Sequence, residues 1–94
     1  MGPSGLVLAG LLANYGIKVG IFERNKSTVK QPRAVSIDDE SLRILQSFSL
    51  HQAVLKNVSQ NYGSHYYDTK GKLFLKVEPN SCDNGFFKRN AFDQ

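Results

Sequence analysis

Glycines at positions 2 and 5, a glutamate at 23 and an arginine at 33 are the residues whose types and spacing suit a chemical role. Met1-Gly2-Pro3-Ser4-Gly5-Leu6 matches the second half of a G-x-G-x-x-G loop, the turn on which a dinucleotide pyrophosphate rests at the start of a helix. Gly2 and Gly5 fall on the second and third glycines, and Met1 on the variable residue before them. Lacking a Cβ, Gly2 lets the backbone approach a pyrophosphate closely. Pro3 suits a first helical turn, where its missing N–H would have no partner in any case. Ser4 offers a hydroxyl and an N–H at the positive end of that helix, and Gly5 permits the helix to pack closely on a sheet. Taken alone, the same four residues also fit a flexible N-terminal turn.

The residues that follow supply the setting such a loop needs. Leu6 to Tyr15 are apolar almost all round, as in a helix buried against a sheet, and Gly16 stands where a left-handed cap belongs. Ile17-Lys18-Val19-Gly20-Ile21-Phe22 is a β-branched and aromatic run that predicts a strand. It ends at Glu23, about 20 residues after the loop, where a carboxylate accepts hydrogen bonds from an adenosine ribose; an exposed strand-end glutamate is the plainer alternative. Arg24 beside it fits either an adenine contact or a solvated cation. The strand and first glycine that precede such a loop are expected to be absent from this chain, which would leave the first helix and second strand without their central neighbour.

Beyond a polar loop ending at Pro32, Arg33-Ala34-Val35-Ser36-Ile37-Asp38 leads into a second helix. Asp38 is the expected N-cap, Asp39 and Glu40 favour the helix dipole, and Leu42, Leu45 and Phe48 fall on one face. Arg33 suits charge-assisted bonds to cofactor phosphate or ribose and equally suits a surface arginine. A short helix is expected over Leu50 to Asn57, with Ala53 and Val54 inward. Ser64-His65-Tyr66-Tyr67 and Lys72 to Val77 predict an antiparallel hairpin around Asp68-Thr69-Lys70-Gly71, with Leu73, Leu75 and Val77 on its more covered face. A further strand is expected between Phe86 and Phe92. The aromatic residues here are read as packing.

Composition narrows the classes of function. With 94 residues there is room for one small domain, and the +4 net charge comes from scattered lysines and arginines without the basic stripe of a nucleic-acid binder. The apolar N-terminal stretch lacks a basic leader and falls short of the roughly 20 residues of a membrane span. A single cysteine, Cys82, excludes an internal disulfide framework and suits a cytoplasmic protein. His51 and His65 have no partners at metal-ligand spacing, so no metal is expected.

The order Gly2-Pro3-Ser4-Gly5-Leu6, Phe22-Glu23-Arg24, Pro32-Arg33-Ala34-Val35-Ser36-Ile37-Asp38-Asp39-Glu40-Ser41-Leu42-Arg43 and Arg89-Asn90-Ala91-Phe92-Asp93-Gln94 resembles the flavin-dependent aromatic hydroxylases of the para-hydroxybenzoate hydroxylase superfamily. It is most similar to the 3-(3-hydroxyphenyl)propionate hydroxylase branch. The long Arg33–Arg43 segment carries the likeness, which runs along essentially the whole chain. The resemblance implies an α/β fold: a truncated Rossmann-like FAD-binding domain over residues 1–94, with the first strand missing. Residues 1–57 would form its glycine-loop and βα part, and residues 62–94 an antiparallel hairpin insertion and following strand.

The same likeness implies noncovalent FAD, with NAD(P)H as co-substrate and a small aromatic substrate in the parent enzyme. Gly2, Pro3, Ser4 and Gly5 would face the pyrophosphate, Glu23 and Arg24 the adenosine, and Arg33 the phosphate or ribose. Gln94 would lie near the ribityl chain. No residue matches a catalytic position, and the later Asp-Gly and Gly-Asp motifs of the family are not present. The hydroxylase activity is therefore assigned to the parent protein; a noncatalytic nucleotide-binding module and a ligand-free remnant are the alternatives.

Overall fold

The computed structural model describes residues 2–31 and 33–92. The first helix, α1 (Pro3–Asn14), begins at the N-cap Gly2 with Pro3 as its first helical residue. It ends as the sequence leads one to expect. Gly16 takes φ +74°, its N–H donates to the Ala13 carbonyl at 2.9 Å, and the Ile17 N–H donates to the Leu12 carbonyl at 3.1 Å. This is a Schellman motif, in which left-handed backbone suits a residue without a Cβ. Contact with the second helical region is close: a Cβ on Gly10 would stand 3.0 Å from the Phe48 ring. Asn14 Nδ2 also donates to the Ser47 carbonyl at 3.4 Å.

Residues 17–22 do not form the predicted strand. Their β-branched side chains favour a pleated, half-covered surface, but that preference is expressed only when a neighbouring strand supplies hydrogen bonds and packing. No described strand pairs with this run, and Ile17, Ile21 and Phe22 are exposed, Phe22 to 94%. The described strands are all antiparallel. Helices and strands are mixed, as expected of an α/β protein, but these residues include no parallel Rossmann strand pair.

Three short strands instead make a sheet that sequence periodicity did not reveal. β1 (Ser36–Ile37) and β2 (Val58–Gln60) flank β5 (Asn90–Phe92) in the order β1-β5-β2. Ser36, Ala91 and Ser59 lie in one row across it, and Ile37, Asn90 and Gln60 in the next. The strand expected from Phe86 is shortened because residues before it turn, with Gly85 at φ +80° and its N–H bonded to the Cys82 carbonyl. Asn90 is wholly buried, and its Nδ2 donates to the Ile37 and Phe87 carbonyls at 3.2 and 2.8 Å. One side chain thereby fixes a strand edge and the loop entering β5.

α2 (Asp39–Gln46) lies between β1 and β2 in the chain and supplies most of the core. Asp38 Oδ1 accepts the Ser41 N–H at 2.8 Å, and Leu42 and Leu45 are buried. Phe48 is half-buried against Gly10. α3 (His51–Leu55) is shorter than expected, and Ala53 is exposed rather than inward, while Val54 is half-buried.

The hairpin of β3 (Ser64–Tyr67) and β4 (Leu73–Val77) forms as predicted apart from Lys72, which remains outside it. Asp68 Oδ1 accepts the N–H groups of Lys70 and Lys72, closing the turn with Gly71 at φ +78°. Its faces differ from the expected alternation. Tyr66 opposes Leu75 and Tyr67 opposes Leu73, so Phe74 is the extra residue of a bulge. The bulge interrupts the period of two, bringing the Tyr66 and Phe74 rings to 6.5 Å. Leu73 and Leu75 are exposed, not covered.

Candidate functional site

The two longer helices begin in opposite ways. At α2, the Asp38 carboxylate occupies the helix start, and this hydrogen bonding to Ser41 lowers its pKa from the ordinary 3.8. At α1, the N-cap is Gly2 in extended backbone (φ −84°, ψ 167°), and no side chain caps the helix. The first N–H groups of an α-helix have no intrahelical acceptor, and they sit at the positive end of the helix dipole. An anion on α1 can therefore accept bonds for which α2 already has its own carboxylate.

A cleft of about 500 Å³ opens beside that helix start. Pro3 and Ser4 contribute one wall, Ala34 and Ser36 another, and Asp38 and Ser41 belong to the entrance of α2. Thus the structure brings the glycine-loop remnant against the run that immediately follows Arg33. Arg33 itself is exposed at the beginning of this run. Val7, Leu8 and Leu11 line the cleft with apolar surface. The geometry suits an elongated molecule with a charged part at the helix start and a less polar body along α1.

Glu23 and Arg24 lie elsewhere in the local arrangement. Together with Ile21 and Phe22 they line a separate open hollow, and Glu23 Oε1 accepts the Asn25 N–H at 2.8 Å. Gly5 is within the first turns of α1, while Gln94 lies outside the described residues. The expected cofactor residues are therefore divided between the helix-start cleft, the Arg33 approach and the Glu23 hollow.

Long-range polar contacts tie α2 to the loop that precedes β5. Asn84 Nδ2 donates to Asp39 Oδ2 at 2.8 Å, and Arg43 Nη1 donates to Asn84 Oδ1 at 3.2 Å. Asn84 was legible only as a turn residue, since its partners are 45 and 41 positions away. Tyr62 and Arg89 were also missed: the Ser36 hydroxyl, and then Arg89, hold the Tyr62 phenol below its ordinary pKa of 10.0. No local spacing joins residues 36, 62 and 89; the β1–β5–β2 sheet does. Among the described residues no group of three or more His, Cys, Asp or Glu is placed to hold a metal. No helix among them is long and apolar enough to cross a membrane.

Comparison with known proteins gives this cleft a chemical context. Residues 1–85 match the family described as FAD binding domain. Over 93 residues, 99% of this chain, it is 38% identical to a 3-(3-hydroxy-phenyl)propionate/3-hydroxycinnamic acid hydroxylase of Comamonas testosteroni, covering 16% of that protein. The corresponding hydroxylase of Mycolicibacterium smegmatis is also 38% identical, with 99% of this chain and 16% of the relative covered. A Klebsiella pneumoniae protein of the same description is 37% identical, with coverages of 99% and 17%. The chain thus spans about one sixth of the length of these curated relatives. No solved structure matches it.

Proposed function

We propose that this chain, which belongs to the FAD binding domain family, is the FAD-binding portion of a flavin-dependent monooxygenase that hydroxylates phenolic substrates with NAD(P)H and O2. FAD is the cofactor of the family, and the uncapped start of α1 beside an elongated cleft is the observation that carries its placement here. The fit is chemical: a pyrophosphate supplies acceptors to backbone N–H groups that α1 leaves without a side-chain cap. By contrast, Asp38 fills the corresponding position on α2.

In this reading Gly2, Pro3, Ser4 and Gly5 bind the pyrophosphate through the helix start. Gly2 and Gly5 keep side-chain bulk away, and Ser4 adds a hydroxyl donor. Arg33 supplies a guanidinium to phosphate or ribose, and Glu23 accepts from the adenosine ribose with Arg24 over the adenine. Gln94 is assigned to the ribityl region. FAD, when bound, supplies the redox and oxygen-transfer chemistry of the parent enzyme, while the chain's own residues bind and orient it.

Residues 1–57 form the cofactor-facing part, and residues 62–94 the hairpin and following strand of a truncated Rossmann-like domain. The protein is placed in the cytoplasm, and its partner is a small aromatic molecule rather than nucleic acid or membrane. An absorption spectrum of the purified chain after incubation with FAD, followed by an NADPH-oxidation assay with a phenolic acid, tests this division of labour. Bound flavin without oxidation is expected of the chain alone. Oxidation by the isolated chain would contradict assignment of catalysis to the parent, and absence of bound flavin would contradict the cofactor site.

A further inference from the structure

Residues 17–22 carry the side chains of a strand without a strand to pair with. Among the described residues, Lys18 to Phe22 make no backbone hydrogen bond to another residue, and no described strand pairs with them. Ile17, Val19, Ile21 and Phe22 are all exposed. An apolar run with open N–H and C=O groups is a template for pairing with another chain. Proteins guard such edges with charges, prolines or bulges; this run has one charge, Lys18, and no proline.

The order of residues fits a second copy of the same run. In extended backbone Ile17, Val19 and Ile21 share one face, and Lys18, Gly20 and Phe22 the other. Two copies set antiparallel about a two-fold axis through Val19 place Val19 against Val19 and Ile17 against Ile21 of the second copy. In this register every β-branched residue meets another, the pairing that stabilises a strand pair most. Lys18 stands opposite Gly20, away from the other Lys18. A centre one residue earlier sets Lys18 against Lys18, as does parallel pairing in register, and a centre one residue later sets Ile17 against Glu23. The Phe22 ring lies over Gly20, 3.2 Å from where a Cβ would stand. The second copy's lysine at position 18 therefore arrives beside an aromatic ring, which attracts a cation.

The chain also has surface to contribute. Its 7595 Å² of accessible area exceeds the value for a compact chain of this mass by roughly 2,200 Å². Each partner in a standard interface gives up about 800 Å².

We propose that residues 17–22 form the interface of a homodimer, in which two copies join through an antiparallel strand pair centred on Val19. This assignment does not rest on the cofactor reading.

Sedimentation equilibrium of the full 94-residue chain, from micromolar to millimolar concentration, tests it, with circular dichroism as the check on folding. A monomer–dimer equilibrium is expected. Val19→Lys sets like charges against each other at the two-fold axis and should weaken dimerisation at least about tenfold. Disulfide trapping in a Cys82→Ser background, which removes the chain's own thiol, reads the register. Diamide takes up two electrons and two protons from a pair of facing thiols. It should link Val19→Cys into a covalent dimer and leave Ile17→Cys monomeric, because position 17 faces position 21. Combining Ile17→Cys with Ile21→Cys should restore the link. If Val19→Lys does not fold, the trapping result decides. A chain that stays monomeric at every concentration would overturn the assignment and leave the run to a different partner. Growth beyond the dimer, unchanged association of folded Val19→Lys, or trapping of Ile17→Cys as efficient as that of Val19→Cys would overturn it too. An FAD titration of the same samples reads the cofactor site separately.

Discussion

Ser49 and Gly63 hold the backbone at two points where a single Cβ decides the energy. Ser49, after α2, has φ +64°, with its N–H donating to the Gln46 carbonyl and the Leu50 N–H to the Leu45 carbonyl. Left-handed backbone disfavours a residue with a Cβ, although glycine loses more freedom on folding. Ser49→Gly is expected to stabilise the chain by about 0.5–1 kcal/mol, measured by denaturant unfolding. Gly63 presents the opposite case: an added Cβ would stand 2.6 Å from the Val77 carbonyl oxygen. Because that atom is backbone, the hairpin must shift to relieve the contact. Gly63→Ala should destabilise by roughly 1–3 kcal/mol, and the same unfolding measurement shows it as a lower midpoint.

At the scale of elements, α2 was legible because its signals are local. Asp38, Asp39 and Glu40 mark its start, and the three-to-four-residue recurrence of Leu42 and Leu45 marks its inner face. The lowered pKa of Asp38 gives this cap a direction in pH. A carboxylate more acidic in the folded state stabilises the fold above its unfolded value, and that contribution is lost as pH falls through the lower folded value. Helix content of the unsubstituted 94-residue chain should therefore be insensitive to this cap above the ordinary pKa of 3.8 and decrease below it. Asp38→Asn, which retains an acceptor, should remove this component, while Asp38→Ala should cost about 1 kcal/mol at neutral pH. Circular dichroism across pH distinguishes the three.

The α1 cap and the β3–β4 turn were legible for similar reasons, through Gly16, Asp68 and Gly71. β1, β2 and the shortened β5 were not, because two or three residues carry no measurable period and depend on pairing partners separated by tens of positions. Ile17–Phe22 failed in the other direction: its composition suits a strand, but no described strand pairs with it. For the candidate site, the glycine spacing located the α1 start, whereas its juxtaposition with Ala34 and Ser36 depended on the fold.

The whole molecule presents more surface than a compact chain of its size. Its accessible area is 7595 Å², against about 5,400 Å² expected from its mass. Its radius of gyration is 16.7 Å, compared with roughly 12 Å for a compact domain of this length. Apolar residues account for visible parts of this open surface, including Leu6 and Leu8 on α1, Phe22 after it, and Phe74 on the hairpin. Limited burial leaves little energy to stabilise α1 beyond its local bonds, so a ligand that bridges its start to the Arg33 run would stabilise the arrangement by mass action.

The most direct measurement is an FAD-fluorescence titration of the 94-residue chain, repeated with ADP and with riboflavin as competitors. The account predicts saturable binding displaced by ADP but not by riboflavin, because the assigned helix start, Glu23 and Arg33 face the ADP half of the cofactor. Displacement by riboflavin but not ADP, or a flat FAD titration, would contradict it.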